Sequence, residues 1–305
     1  NEEMFELCTP VVYGSPKVAA YHRNALGIQA VFTIINKTDE IKDGKLNLLT
    51  TIEEDLKIEL GHNTDEVGKA AKTALDRALE DLNNGGIDLL VLTPAPLING
   101  KTQEDYIAGK LGQADKNILL LLGQNLNMAF ATHNIALENV GMAISEQLLE
   151  SKIKQLAATL QRDLRIGKPR LAVLSLNNAE AQSNIDTQKV SPVIDKMRQE
   201  GINVYGPFSA DNYFAQHQYQ AFDATLALYD QQATTPFNCI SAERGVYLLG
   251  GIDPVVAFAQ TADRYANAGK NVEDVAPFRN AIFAAIDVYR HRNNFDEAHA
   301  NPLPK

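Results

Sequence analysis

Apolar residues in this chain fall into two recurring patterns: short continuous runs, and longer segments with apolar positions three and four apart. Thr9–Tyr13 reads as a buried strand closed by Gly14-Ser15-Pro16, and Val18–Leu26 follows with helical spacing. Ala30–Ile35 is a second apolar run, and the alternating stretches within Leu46–Leu60 predict an antiparallel excursion. Asn63 or Thr64 caps the next helix, which carries Asp65 and Glu66 in its first turn and a stripe of Val67, Ala71, Leu75, Ala78 and Leu82. Asn83-Asn84-Gly85-Gly86 stops it, and Ile87–Leu92 is an apolar strand of the kind a parallel sheet covers on both faces.

The same alternation continues to the end of the chain. It predicts a helix from Gln103 to Leu111, strands Asn117–Leu122 and Met128–Thr132, and one long helix striped by Val140, Ile144, Leu148, Leu156 and Leu160, closed by Gly167 and Pro169. Strands follow at Arg170–Leu176, Ile202–Tyr205, Ala221–Tyr229 and Gly245–Leu249, with Pro192–Glu200 as the end of a helix. The last helix, Val275–Arg292, is expected to turn Val275, Phe278, Ile282, Ile286 and Tyr289 inward and to leave the polar tail Asn293–Lys305 on the surface. This grammar predicts an α/β fold, a mainly parallel sheet with helices on both faces. Ligands of such sheets bind beyond the carboxyl ends of the strands, so the loops after Leu92, Thr132, Leu176, Tyr205 and Tyr229 are the places for chemistry.

Composition narrows the function classes. A chain of 305 residues, 45% hydrophobic and 22% charged, can bury a large core and make one large or two medium domains. A formal net charge of -10 without a basic stripe argues against a nucleic-acid partner, because phosphate contacts need clustered Lys and Arg. Acidic runs such as Glu53-Glu54-Asp55 read as solvated faces. Cys8 and Cys239 are far apart and lack metal-ligand spacing, which predicts neither a disulfide framework nor structural zinc and suits a reducing cytoplasm. No apolar run approaches the ~18 residues of a membrane helix, so no membrane association is expected. Signatures of serine hydrolases, phosphate loops, zincins and dinucleotide folds are missing from the sequence. His217 and His291 have no partner at ligand spacing, and Asp253 and Asp263 lie in different local contexts.

Several segments are specific when taken together: VVYGSPKVAAY at Val11–Tyr21, GPFSADNYF at Gly206–Phe214, LALYDQQ at Leu226–Gln232, ERGV at Glu243–Val246 and the ending ANPLPK. Collinear over nearly the whole chain, they resemble the 4-hydroxythreonine-4-phosphate dehydrogenase family of vitamin B6 synthesis. The resemblance implies an isocitrate/isopropylmalate dehydrogenase-like architecture. Residues 1–305 would form one family unit of two interleaved α/β lobes with a cleft between them, beginning after the strand and glycine-rich loop that open the family. It further implies NAD-dependent oxidation of a phosphorylated hydroxy amino acid, a homodimer, and a divalent metal held by three histidines that polarises the reacting alcohol.

The match breaks at the residues that carry this chemistry. The family's first metal histidine falls on Asn134 within Thr132-His133-Asn134-Ile135-Ala136-Leu137, with His133 one residue early as an outside candidate. The second falls on Ala179 and the third on Asp230. Amide, methyl and a lone carboxylate are poor substitutes for imidazoles, so a metal is not expected at the usual place. Substrate-holding positions change in parallel. The family's His-Thr pair falls near Gln103, Glu104 and Asp105, its Lys, Asn and Arg fall on Asn238, Tyr247 and Val256, and its loop Lys falls on Asn99. Asp211 is a further pocket position by alignment, and Arg244 and Lys101 survive nearby as cations. Two expectations follow: a dehydrogenase of this family, or alternatively an inactive or repurposed homologue that binds a small molecule or partner.

Overall fold

A computed structural model describes residues 2–53, 59–62, 64–95, 97–178, 184–241, 245–260 and 267–300. Among the sequence expectations, Glu54 and Asp55, Asn63, Ala179, Arg244, Asp263 and the final residues 301–305 lie outside the described residues.

The chain opens with β1 (Val11–Gly14), α1 (Pro16–Ala25), β2 (Phe32–Ile35) and β3 (Leu46–Thr50). These strands form a three-stranded sheet in the order β1-β3-β2, parallel throughout. The antiparallel excursion expected within Leu46–Leu60 is therefore corrected: β3 is a central parallel strand with Leu48 and Leu49 fully buried, a helix-length connection separating it from β1. Thr64 caps α2 (Asp65–Asn83), its hydroxyl accepting from Val67 N at 3.3 Å. Asn84 and Gly85, the latter at φ +73°, end the helix as expected.

The larger sheet contains β4 (Leu89–Leu92), β5 (Ile118–Leu122), β6 (Met128–Thr132), β7 (Arg170–Leu174), β8 (Asn203–Phe208), β9 (Ala224–Tyr229), β10 (Val246–Gly250) and β11 (Val255–Ala259). Its order is β4-β11-β10-β5-β6-β9-β7-β8. Neighbours from β6 to β8 are parallel, as are β4 and β11, whereas β5 runs antiparallel to both β6 and β10, and β10 antiparallel to β11. The connections from β5 to β6 and from β10 to β11 are too short for a crossover, and a short connection imposes an antiparallel pair.

Helices cover both faces. Alternate residues of the strands point to opposite layers: Ala129, Ala131, Leu171, Val173, Leu226, Leu228, Leu248 and Ala257 pack with α5 (Glu146–Leu164), α6 (Ser191–Gln199) and α9 (Ala276–His299). On the other face, Phe130, Leu174 and Ala227 pack against α7 (Ala210–Ala215) and α8 (Asp230–Ser241), and Leu249, Val256 and Phe258 against α2 and α3 (Gln103–Lys110).

Four other expectations are corrected. The long helix is two, α4 (Leu137–Ala143) and α5, because Ile144 is extended and Ser145 starts a new helix by accepting from Leu148 N. Its end is set by Arg165 in the left-handed conformation rather than by Gly167. α7, α8 and β11 lie in stretches where the sequence pattern predicted no element. In α9 the inward face is Ala281, Ala285, Ile286, Val288 and Arg292, with Tyr289 partly buried beside it; Ile286 lies where it was expected, while Val275 and Phe278 are exposed. Ala281 and Ala285 let this helix pack on β11 and β4, Val275 and Phe278 are left outside, and the helix continues to His299.

Arg292 deserves its buried place. Its Nε and Nη2 donate to the two carboxylate oxygens of Asp163 at 2.7 Å each, and Nη1 donates to the carbonyls of Ile252, Asp253 and Pro254. One side chain thus joins α5, α9 and the β10–β11 turn.

Candidate active site

The carboxyl ends of β6, β9 and β7 lie side by side, and the chemistry-bearing residues collect there. β6 ends at Thr132, whose hydroxyl donates to Leu228 O at 2.8 Å and so fixes β6 against β9. His133 follows, its ring lying 5.5 Å from that of Phe130. Asn134 then takes a left-handed backbone, φ +53°, a conformation that Asn tolerates better than most side chains.

α3 brings its first turn to the same place. Thr102 caps it by accepting from Asp105 N, leaving Glu104 and Asp105 at the helix start. Glu104 Oε1 lies 3.4 Å from His133 Nδ1, and Asp105 Oδ2 lies 3.4 Å from His133 Nε2. Burial pushes the imidazole toward its neutral form, but hydrogen bonds and charge from Asp105 and Glu104 outweigh it and carry the pKa up from 6.5 to about 9. Near neutral pH the ring is a cation. His133 in turn holds the Asp105 carboxyl below the usual range, against the opposing effect of burial. Burial, then the charge of Glu104, raises the Tyr247 phenol.

On the β9 side, Asp230 begins α8. Its Oδ2 accepts from Asn134 N at 3.2 Å and its Oδ1 from Gln231 N at 2.7 Å, a favourable position for a carboxylate at the positive end of a helix. Gln232 joins two strand ends: its Oε1 accepts from Leu228 N at 2.9 Å and its Nε2 donates to Ser175 O at 2.8 Å. Beside this bridge is an open cleft of about 680 Å³, walled by Ser175, Asn177, Asp211, Phe214, Tyr229 and Gln231 among others.

Most sequence-derived positions can now be placed. Asn134 and Asp230 meet, and His133 meets Glu104 and Asp105. Gln103 is buried beside them in α3, with its Oε1 lacking a hydrogen-bond partner among the described residues. Asp211 borders the cleft, where its carboxylate accepts from the Ser209 hydroxyl. Asn238 is exposed on α8 and accepts from Gln260 Nε2, while Val256 is fully buried in β11, a core position rather than a pocket wall. Asn99 occupies a left-handed turn position, and Lys101 is exposed. Sequence reasoning missed Gln232, whose signal was present in LALYDQQ, and Lys152 of α5. Lys152 Nζ donates to Asn117 O at 2.6 Å, and burial lowers its pKa. Nothing local in the sequence links these residues, because sheet order alone makes them neighbours.

The metal implied by the resemblance does not fit this donor set. Asn134 directs a backbone N–H at Asp230, Asp230 already accepts two N–H groups, and both nitrogens of the protonated His133 face carboxylates. Ala179 carries only a methyl group.

Comparison with known proteins identifies the scaffold. Residues 6–285 match the family described as Pyridoxal phosphate biosynthetic protein PdxA. A 4-hydroxythreonine-4-phosphate dehydrogenase from Bacteroides thetaiotaomicron is 35% identical over 99% of this chain and 86% of its own length. One of the same name from Sulfurihydrogenibium is 26% identical over 92% of this chain and 89% of its own. The crystal structure of the Klebsiella pneumoniae 4-hydroxythreonine-4-phosphate dehydrogenase superposes with a TM-score of 0.75 at 19% identity, covering 92% of this chain and 90% of that one, which supports the fold. No helix among the described residues is long and apolar enough to cross a membrane. A match over most of the chain and a relative above 30% identity place the protein in one family: the chain belongs to the PdxA family.

Proposed function

We propose that this chain is a 4-hydroxythreonine-4-phosphate dehydrogenase-like oxidoreductase, oxidising the secondary alcohol of a phosphorylated hydroxy amino acid with NAD as hydride acceptor. The observation that carries the reading is the 35% identity to the Bacteroides thetaiotaomicron dehydrogenase over 99% of this chain. Relatives named as dehydrogenases do not favour the alternative of a scaffold without turnover. A homodimer in the cytoplasm, acting in pyridoxine biosynthesis, completes the proposal.

NAD supplies the two-electron acceptor when bound. The chain's own residues supply position and charge. His133, set between Glu104 and Asp105, ties the end of β6 to the first turn of α3 and so fixes one side of the site. Glu104 and Asp105 fix the ring from both edges. Gln232 and Asp230 hold the ends of β9, β7 and the β6 loop in register, keeping the cleft beside them open.

The test is NADH formation by the purified chain supplied with 4-phosphohydroxy-L-threonine. Saturable NADH production that falls at least about tenfold in a folded His133→Gln variant supports the assignment. No NADH from the natural chain, under conditions where the Bacteroides relative turns over, would refute it.

A further inference from the structure

At the family's metal position Asp230 accepts the backbone N–H of Asn134, and the neighbouring His133 is paired with Glu104 and Asp105. The geometry points to a PdxA-family site that takes up no divalent metal, an internal lock of His133 with Glu104 and Asp105, and of Asp230 with Asn134, standing in its place. This inference rests on the assignment of the β6–β9 end as the family's site.

Three features support it beyond the residue types. First, Asp230 lies at the N-terminus of α8, where backbone N–H groups and the helix dipole favour an anion and oppose a cation. Each oxygen of Asp230 already accepts one backbone N–H, from Asn134 and from Gln231, which draws electron density away from any cation there. Second, Glu104 and Asp105 sit against different ring nitrogens of His133, so one ion cannot reach a ring nitrogen and both carboxylates. Third, no group of three His, Cys, Asp or Glu among the described residues is arranged to hold an ion. Transition metals need several such donors converging at about 2 Å.

The experiment measures metal rather than turnover. The purified full chain is equilibrated with Zn²⁺, freed of excess by gel filtration, and its metal content determined alongside an N134H/A179H/D230H variant. The natural chain is expected to retain well under one ion and the variant about one, a difference of roughly tenfold. About one Zn²⁺ on the natural chain, lost on Asp230→Ala or His133→Ala, would overturn the inference. So would a folded triple variant, verified by its thermal transition, that retains no more zinc than the natural chain. Failure of NAD reduction bears on the function proposed above and leaves these metal contents unchanged, so the two ideas fail separately.

Discussion

Two ion-pair clusters in this molecule use similar charges to different ends. Arg292 and Asp163 are almost completely buried, meet through two bonds of 2.7 Å, and have the remaining guanidinium nitrogen satisfied by three carbonyls. His133 meets Glu104 and Asp105 at 3.4 Å on each side, with all three side chains partly open to solvent. The first pair is geometrically complete and joins helices α5 and α9 to a strand turn. The second is looser, lies at the carboxyl ends of the strands, and contains a group whose charge can change. Burial with full hydrogen bonding makes a staple, whereas partial burial with a titratable member makes a site.

The largest expected effect is at the staple. Asp163→Ala leaves a buried guanidinium without its carboxylate and should destabilise the protein by about 3–5 kcal/mol, seen as a shifted denaturant midpoint. A loss under about 1 kcal/mol would mean that the pair is not the structural element described.

The second prediction tests the looser cluster by pH. The folded-state pKa of His133 is raised from 6.5 to about 9, so its contribution is complete below about pH 6.5 and disappears as pH rises through about 9. Asp105 has a lowered pKa, so its share is lost instead as pH falls below its ordinary value of 3.8. Allowing for partial exposure, His133→Gln should cost about 2 kcal/mol at pH 6 and much less at pH 10. A cost that is the same at both pH values would contradict the charge assigned to His133.

Smaller effects complete the scale. Asp230→Ala removes the acceptor at the start of α8 and should cost about 1 kcal/mol, with faster amide exchange at Asn134 and Gln231 as its signature. Unchanged exchange at both amides would show that Asp230 does not hold them. Lys196→Ala breaks an exposed pair with Glu150 and should leave the thermal unfolding midpoint essentially unmoved. A clear drop in that midpoint would weaken the ranking by burial.

Legibility in the sequence followed the range of the interaction. β6 is legible at its observed bounds, and the cap at Asn63 or Thr64 and the stop within Asn83–Gly86 are legible locally, because periodicity and capping depend on neighbours in the chain. The α4–α5 break was missed because Ile144 continues the apolar stripe even though Ser145 caps a new helix. The inward face of α9 is legible at Ile286 but not at Ala281 and Ala285, because large apolar residues outweigh alanines in a periodicity reading, whereas close packing on a sheet favours the alanines. β10 is legible at Gly245–Leu249, but its antiparallel partner β11 is not, because strand direction depends on a turn and not on composition. At the site, resemblance located Asn134 and Asp230, yet their mutual hydrogen bond spans 96 positions and only the fold reveals it. The same holds for the capture of His133 by the first turn of α3.

The most direct test of the whole account is NAD reduction by the purified chain with 4-phosphohydroxy-L-threonine, measured with and without a strong divalent-metal chelator. NADH should form at a rate the chelator leaves unchanged. No NADH, or NADH formation that the chelator abolishes and Zn²⁺ restores, would contradict it.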